Sequence, residues 1–282
     1  MSKKFLISVF ADEIDSNVDV QFSYLNQLGI SYFEPRGIDG KNISDLTEAE
    51  AKTLKSKMDA AGIKVSAIGS PIGKIKINDP FAPHIELLKH TIEVAHITDA
   101  TRMRVFSFYI PEGDERAPWR NAVMERMAEM AEIAEKEGIV LTHENEHQIY
   151  GESAEDCLDL LNTVNSPALA CVFDPANFAL EGYDAYAAFK LLKDRITYFH
   201  IKDALPHDKI VPAGQGAGHI PEILAEIPER EEPYILTLEP HMGRFPGSEN
   251  LEVTDRFDSL PEGGPRIVGL AYNALQEILN KL

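Results

Sequence analysis

Short apolar runs alternate with longer stretches whose apolar positions recur every three or four residues, and this rhythm persists along the chain. The runs at 6–10, 32–34, 64–68, 103–108, 139–142, Leu169–Phe173, Ile196–Ile201 and Tyr234–Leu238 read as strands. Between them, Val18–Leu28, a segment opening at Thr47, 84–95, 118–137, a segment opening at Ser153, 183–192, 220–227 and 267–282 read as helices. Punctuation agrees with the pattern. Thr47 with Glu50 three residues on is a capping-box pair, and Gly29, Gly62 and Gly138 stand where helices must stop.

Eight strand–helix units with no evident linker predict an α/β fold, a (β/α)8 TIM barrel forming a single domain over residues 1–282. An open doubly wound sheet usually has fewer strands and one crevice. Loops able to cover the open end follow strand three (Ser70-Pro71-Ile72-Gly73-Lys74), strand seven (204–218) and strand eight (241–264), the last two being long.

Several apolar runs end in a charged or imidazole side chain. The fifth leads into Leu141-Thr142-His143-Glu144-Asn145-Glu146-His147, the sixth ends in Asp174, the seventh in His200 and the eighth in Glu239. Such groups at the ends of buried strands are costly unless they converge on something. The intervals between Glu144, Asp174, His200 and Glu239 are 30, 26 and 39 residues, each one βα repeat. Three carboxylates and one imidazole make a ligand set for one divalent metal. The hard donors favour Mn²⁺ or Mg²⁺, with Co²⁺ and Zn²⁺ also compatible. The bland alternative is four unrelated strand-end charges that face solvent or pair with Lys202 or Arg244.

Composition narrows the partners. Charged residues are 26% of the chain and its net charge is -19, which opposes binding to phosphate backbones and disfavours a nucleic-acid partner. Lys3 and Lys4 precede an apolar run, but Asp12, Glu13 and Asp15 follow too early for an export signal. No run is long enough for a membrane span. Two cysteines, Cys157 and Cys171, suggest a reducing compartment, so a cytoplasmic location is expected.

The strand ends Leu141-x-x-Glu144-Asn145, Asp174, His200-Ile201-Lys202-Asp203 and Glu239-Pro240 carry a resemblance to the xylose isomerase-like TIM-barrel superfamily, in its sugar-phosphate isomerase/epimerase branch. That resemblance implies one divalent ion on those four residues, with Glu144 and Glu239 also moving protons. In related ketose epimerases one glutamate removes a proton beside a carbonyl and the other returns it on the opposite face, through a metal-stabilised enediolate. The implied substrate is a small sugar, keto-polyol or sugar phosphate, and a homo-oligomer is common among relatives. A metal-dependent lyase acting on an inosose-like keto-polyol starts from the same enediolate and is the main alternative. A non-catalytic sugar-binding barrel is a further one. The apurinic-endonuclease branch, with its histidine-rich three-zinc cluster and basic DNA face, fits this acidic chain poorly.

Two positions depart from the epimerase pattern. Asn177 stands where many relatives carry a histidine, and Pro206, His207 and Lys209 occupy the region where an arginine is usual. Substrate contacts are expected from Arg36, Lys74, Asn177, Lys202, His241 and Arg244, each balanced against a local salt bridge or solvent exposure. The run Gly214-Gln215-Gly216-Ala217-Gly218 resembles a phosphate nest but lacks the P-loop lysine, and a tight turn is the simpler reading. Strand alternation turns His143 away from Glu144. Trp119 and Phe106 to Tyr109 read chiefly as core, with Phe108 or Tyr109 able to stack on a sugar.

Overall fold

The computed structural model describes residues 5–243 and 264–282. Lys3, Lys4, Arg244 and most of the loop after the last strand lie outside the described residues. Eight barrel strands run in chain order: β1 (Phe5–Val9), β2 (Tyr32–Phe33), β3 (Lys64–Val65), β4 (Arg102–Val105), β5 (Val140–Glu144), β6 (Leu169–Phe173), β7 (Ile196–Ile201) and β8 (Tyr234–Leu238). Six of them form one parallel sheet in the order β1-β8-β7-β6-β5-β4. The remaining two pair with each other, Tyr32 opposite Lys64 and Phe33 opposite Val65. A few hydrogen bonds complete the ring, Arg104 N–H donating to Ile68 O at 2.9 Å among them. Glu34 N–H donates to Val9 O at 2.9 Å, and Ile68 N–H donates to Arg102 O at 2.9 Å. The sheet is thus a closed (β/α)8 barrel, as its strand–helix rhythm predicts.

Helices α1 (Val18–Leu28), α2 (Glu48–Ala61), α3 (Ala82–Ile97), α4 (Arg120–Lys136), α5 (Ala154–Val164), α6 (Pro175–Leu180), α7 (Ala185–Leu192), α8 (Ile220–Glu226) and α9 (Pro265–Leu279) surround the strands. Their ends follow local chemistry. Thr47 Oγ1 accepts the Glu50 N–H while Glu50 reaches back to Thr47, and Gly29 and Gly62 close α1 and α2 at φ of 70°. Helix α6 is unforeseen by apolar periodicity. Asp174 caps it, taking the Asn177 N–H on Oδ1 at 3.0 Å, and Pro175 supplies the first-turn residue that needs no donor.

The main apolar core lies between strands and helices, and a small second cluster of Ala67, Val172 and Tyr198 with Ile235 sits apart from it. Strand side chains alternate faces. Tyr198, His200 and Lys202 therefore share one face of β7 and its extension, as Ile235, Thr237 and Glu239 do for β8 and its extension. This parity aims the strand-end ligands at a common centre.

The fold differs from the sequence reading in detail. The expected strand 64–68 is regular only over Lys64–Val65, and 103–108 only over Arg102–Val105. Two small antiparallel hairpins appear, Gly37–Ile38 with Lys41–Asn42 and Asp203–Ala204 with Ile210–Val211. Trp119 is only half-buried, and its indole N–H donates to Asp114 at 3.0 Å.

Candidate metal centre

Glu144, Asp174, His200 and Glu239 are all buried, and one ligand atom from each lies within 4.8 Å of the others. His200 Nδ1 is 2.9 Å from Glu144 Oε1 and 3.4 Å from Glu239 Oε2. The Phe10 and Tyr198 rings meet the imidazole edge-on, with centroids 5.1 Å and 5.5 Å away, and hold its plane.

Cations stand on the outer oxygens. Arg104 Nη1 lies 3.3 Å from Glu144 Oε2, Arg36 Nη1 lies 3.2 Å from Glu239 Oε1, and Lys202 Nζ lies 2.8 Å from Asp174 Oδ2 and 3.4 Å from Glu239 Oε2. Arg36 also takes Asp12 in two contacts, at 2.8 and 3.2 Å, and Glu13 at 3.4 Å. Lys202 does not pair with Asp203.

Charge and hydrogen bonding test whether a divalent ion fits. Around the centre the buried carboxylates Asp12, Glu13, Glu34, Glu144, Asp174 and Glu239 outnumber the buried Arg36, Arg104 and Lys202 by six to three, while buried Asp203 is taken up by backbone N–H groups. Glu144 Oε2 and Asp174 Oδ2 are buried without a hydrogen bond among the described residues. Buried carboxylates in such excess need a cation or protons. The protonation balance shows the strain. Burial pushes Glu13 up to about 8 against the pull of Arg36. Burial also raises Asp174, outweighing Lys202. For Glu144 and Glu239 the opposite side wins: burial is overcome by His200 and Arg104 at Glu144, and by Lys202, His241 and His200 at Glu239, so both stay below the ordinary range. Burial opposes a charge on His200, yet Glu144 and Glu34 together push it up to about 10. The donor set and the surplus negative charge both fit one divalent cation.

A second acidic group does not add a second ion site. Glu13, Glu239 and His241 also place ligand atoms within 4.8 Å of each other. The Arg36 guanidinium sits among them, with Nη1 3.2 Å from His241 Nε2 and Nη2 3.4 Å from Glu13 Oε1.

The expected substrate contacts are placed unevenly. Asn177 Nδ2 donates to Asn145 O at 2.8 Å and stands 3.5 Å from Glu144 Oε1. Lys74 lies over the Phe106 ring and 3.1 Å from Glu146, whose other oxygen receives His147 at 3.0 Å. Lys74, ahead of Lys202, holds the Glu146 carboxyl far down despite burial. His241, at φ 44°, donates its backbone N–H to Glu13 at 2.8 Å. Arg244 is outside the described residues. Phe108 is fully buried against Phe81 and offers no face to a sugar. His143 faces the helix side, 2.9 Å from Ser107 Oγ, and burial drives it down to about 4.

The glycine run has a different role from a phosphate nest. Gly214 and Gly216 N–H donate to Asp203 Oδ2 at 2.8 and 3.0 Å, while Gly218 and Ala204 N–H donate to Oδ1 at 2.8 and 2.9 Å. The anion in this nest is the chain's own carboxylate. A Cβ at Gly216 would stand 2.3 Å from Asp203 Oδ1, so only glycine permits the wrap.

Arg104, Glu13 and Asp12 were not foreseen at the centre. Asp12 and Glu13 follow β1 as Glu239 follows β8, so the strand-end signal was present. Arg104 is hidden inside the run Met103-Arg104-Val105-Phe106, although its parity with Arg102 marks an inward charge.

A family model for xylose isomerase-like TIM barrels matches residues 22–257. The chain belongs to that family. The resemblance of the four strand ends to the xylose isomerase-like superfamily therefore holds. No curated protein matches the sequence of this xylose isomerase-like barrel. Solved structures share its fold over nearly their full lengths. A probable 3-DHS dehydratase, AsbF, from Bacillus anthracis is 16% identical with a TM-score of 0.72, covering 98% of this chain and 99% of its own. The IOLI protein, crystallised with a zinc atom, is 17% identical with a TM-score of 0.74 over 99% and 98% of the two chains. A D-allulose 3-epimerase from Methylomonas sp. is 16% identical with a TM-score of 0.74 over 100% and 99%. Among the described residues of this barrel no helix is long and apolar enough to cross a membrane.

Proposed function

We propose that this barrel is a divalent-metal-dependent isomerase or epimerase of a small sugar, keto-polyol or sugar phosphate. The observation that carries the reading is the pairing of Glu144 and Glu239 in one four-donor cluster, each with an outer oxygen against an arginine. When bound, the divalent ion supplies Lewis-acid polarisation of a substrate carbonyl and hydroxyl. Glu144, Asp174, His200 and Glu239 hold it.

Glu144 and Glu239 are kept ionised by their cationic neighbours and are therefore able to accept a proton. One carboxylate removes the proton on the carbon beside the carbonyl and later releases it to solvent; the other takes a proton from solvent and delivers it from the opposite side. Proton transfer converts a ketose to its epimer or to the isomeric aldose through an enediolate. Asn177, Lys74, Lys202, His241 and Arg36 orient hydroxyls around the reacting carbons; Arg244, the remaining expected contact, lies outside the described residues. Lys202 and Arg36 also fix the carboxylates on which they lie.

A lyase is the second reading. Glu13 keeps its proton near neutrality and stands 3.4 Å from His241 Nε2, beside Glu239. A protonated carboxyl there can hand a proton to a departing hydroxyl, which elimination needs and epimerisation does not. The fold neighbours include both a probable dehydratase and an epimerase.

Proton exchange in D₂O, followed by NMR with Mn²⁺-loaded protein and a panel of C4 to C6 ketoses, inososes and their phosphates, tests the reading. Deuterium beside the carbonyl with a new epimer or isomer is expected, falling roughly 10²- to 10⁴-fold in Glu144→Gln and in Glu239→Gln. Exchange with an enone or deoxy product assigns the lyase. Stoichiometric ion binding with no exchange on any member of the panel refutes both.

A further inference from the structure

We infer that Glu34 is a positioning residue of the metal centre: it receives the Nε2–H of His200 and so turns Nδ1 toward the four-donor cluster. This inference rests on the four-residue centre proposed above but on no particular reaction.

The geometry begins beneath the centre, on the barrel axis side of β2. Glu34 is fully buried and follows Phe33, the last residue of β2. Its Oε1 accepts the Tyr198 hydroxyl at 3.1 Å and is the carboxylate oxygen facing His200 Nε2, 3.4 Å away, a buried nitrogen that has no hydrogen-bond partner among the described residues. The opposite ring nitrogen, Nδ1, faces Glu144 and Glu239. His200 therefore bridges two carboxylate environments, the metal-ligand cluster on one side and Glu34 on the other.

A carboxylate in a barrel interior costs several kcal/mol unless it is paired, and Glu34 Oε2 has no hydrogen-bond partner among the described residues. No lysine or arginine of the described residues lies within ion-pair distance of it. The ionisable groups against it are His200 and Tyr198, the tyrosine itself packed edge-on against that imidazole, and Arg104 acts on it from beyond ion-pair distance. Thr142 Oγ1 stands 3.4 Å from the same tyrosine hydroxyl and donates to Met103 O at 3.1 Å. The chain Thr142–Tyr198–Glu34–His200 thus fixes the carboxylate from below.

A neutral imidazole has one N–H and one lone pair, and a metal takes the lone pair. An acceptor on Nε2 keeps the hydrogen there and leaves the Nδ1 lone pair for the ion, with the added negative charge making the ligand more basic. Substrate cannot reach Glu34, since His200 and Tyr198 cover it. Arg36, two residues on, stands instead against Glu239 at 3.2 Å.

The test uses Glu34→Gln, which keeps the shape and removes the charge, and Glu34→Asp, which keeps the charge and withdraws it. Co²⁺ and Mn²⁺ affinities are measured by titration calorimetry, with ¹⁵N NMR of histidine-labelled, Zn²⁺-loaded wild-type protein alongside. Expected are a wild-type His200 protonated on Nε2 with Nδ1 on the ion, and a 10- to 100-fold loss of affinity in Glu34→Gln. The ring nitrogen that carries the hydrogen, read by ¹⁵N NMR, is a result that a merely structural role would not fix. Affinities within twofold of wild type, or an ion carried by Nε2, overturn the inference while leaving the metal centre standing. Failure of the wild-type chain to bind any of the three ions overturns both. If Glu34→Gln does not fold, the wild-type NMR spectrum and Glu34→Asp still decide.

Discussion

The two sides of the barrel are built to different standards. Strands β5 to β8 are five or six residues long and stay in register, apart from one shift between Cys171 and Val172. Strands β2 and β3 have two residues each and join their outer neighbours by one and two hydrogen bonds respectively. The regular side contributes the four metal-ligand candidates. The irregular side contributes Glu34, Arg36, Lys74 and, from the adjoining β4, Arg104. Donor atoms that must converge on one ion need the precision of long ladders. Counter-charges acting over 3 to 4 Å tolerate looser backbone, and the chain places Arg36 and Arg104 there, while Lys202, at 2.8 Å from Asp174, follows the regular β7.

The largest test strikes the irregular side. Gly73 has φ of +92°, and a Cβ would stand 2.0 Å from the Phe106 carbonyl oxygen. Gly73→Ala is expected to cost about 4 kcal/mol or more, because backbone must move on both sides of the contact. Urea denaturation measures it, and a loss below about 1 kcal/mol would show that this side yields as easily as a surface loop.

Removing a counter-charge comes next. Arg104→Met keeps the stem between Phe10 and Phe106 but strips Glu144 Oε2 of its nearest cation. About 3–5 kcal/mol of metal-free stability should be lost. Saturating Mn²⁺ should restore part of that loss, because an ion that binds the folded state stabilises it by mass action. Equal losses with and without Mn²⁺ would separate the two sides of the barrel electrostatically.

A smaller effect belongs to the regular side. His143 is pushed down to about 4 by burial, below its unfolded value of 6.5. The unfolded chain therefore takes up the proton first, and stability falls as pH drops from about 6.5 toward 4, with no contribution above 6.5. The wild type should lose about 2–3 kcal/mol more than His143→Gln between pH 7 and pH 4.5. Parallel denaturation series that fall equally would remove His143 as the source. At the bottom of the scale, the Glu48–Lys52 pair is exposed on both sides, and Lys52→Ala should leave the urea midpoint unmoved.

The same contrast explains what could be read in advance. On β5 to β8 the alternation of faces runs unbroken to the last residue, so the face of Glu144 or His200 follows from its position. On β2 and β3 the alternation is too short to project. The Gly37–Ile38 and Lys41–Asn42 hairpin was nonetheless signalled by Asp39-Gly40, whose φ values of 48° and 81° are those a two-residue hairpin turn demands. Asp174 escaped recognition as a helix cap because its strand-end position had already accounted for it, and one side chain serves both through different oxygens. Pairings such as Arg36 with Asp12 and Glu13 span a loop and a turn, and no periodicity records them.

The Asp203 wrap has a consequence for how this barrel can diverge. Four backbone hydrogens close on one carboxylate directly after His200 and Lys202, and they come from both ends of the excursion that runs from Ala204 to Gly218. The loop is pinned at its root, while the turn from Leu205 to Lys209 extends beyond the pin. Residues in that turn can be lengthened, shortened or exchanged without transmitting a shift to β7. The fold thereby separates the part of a loop open to trial from the part that must keep its place, and new specificities can be sampled at the tip.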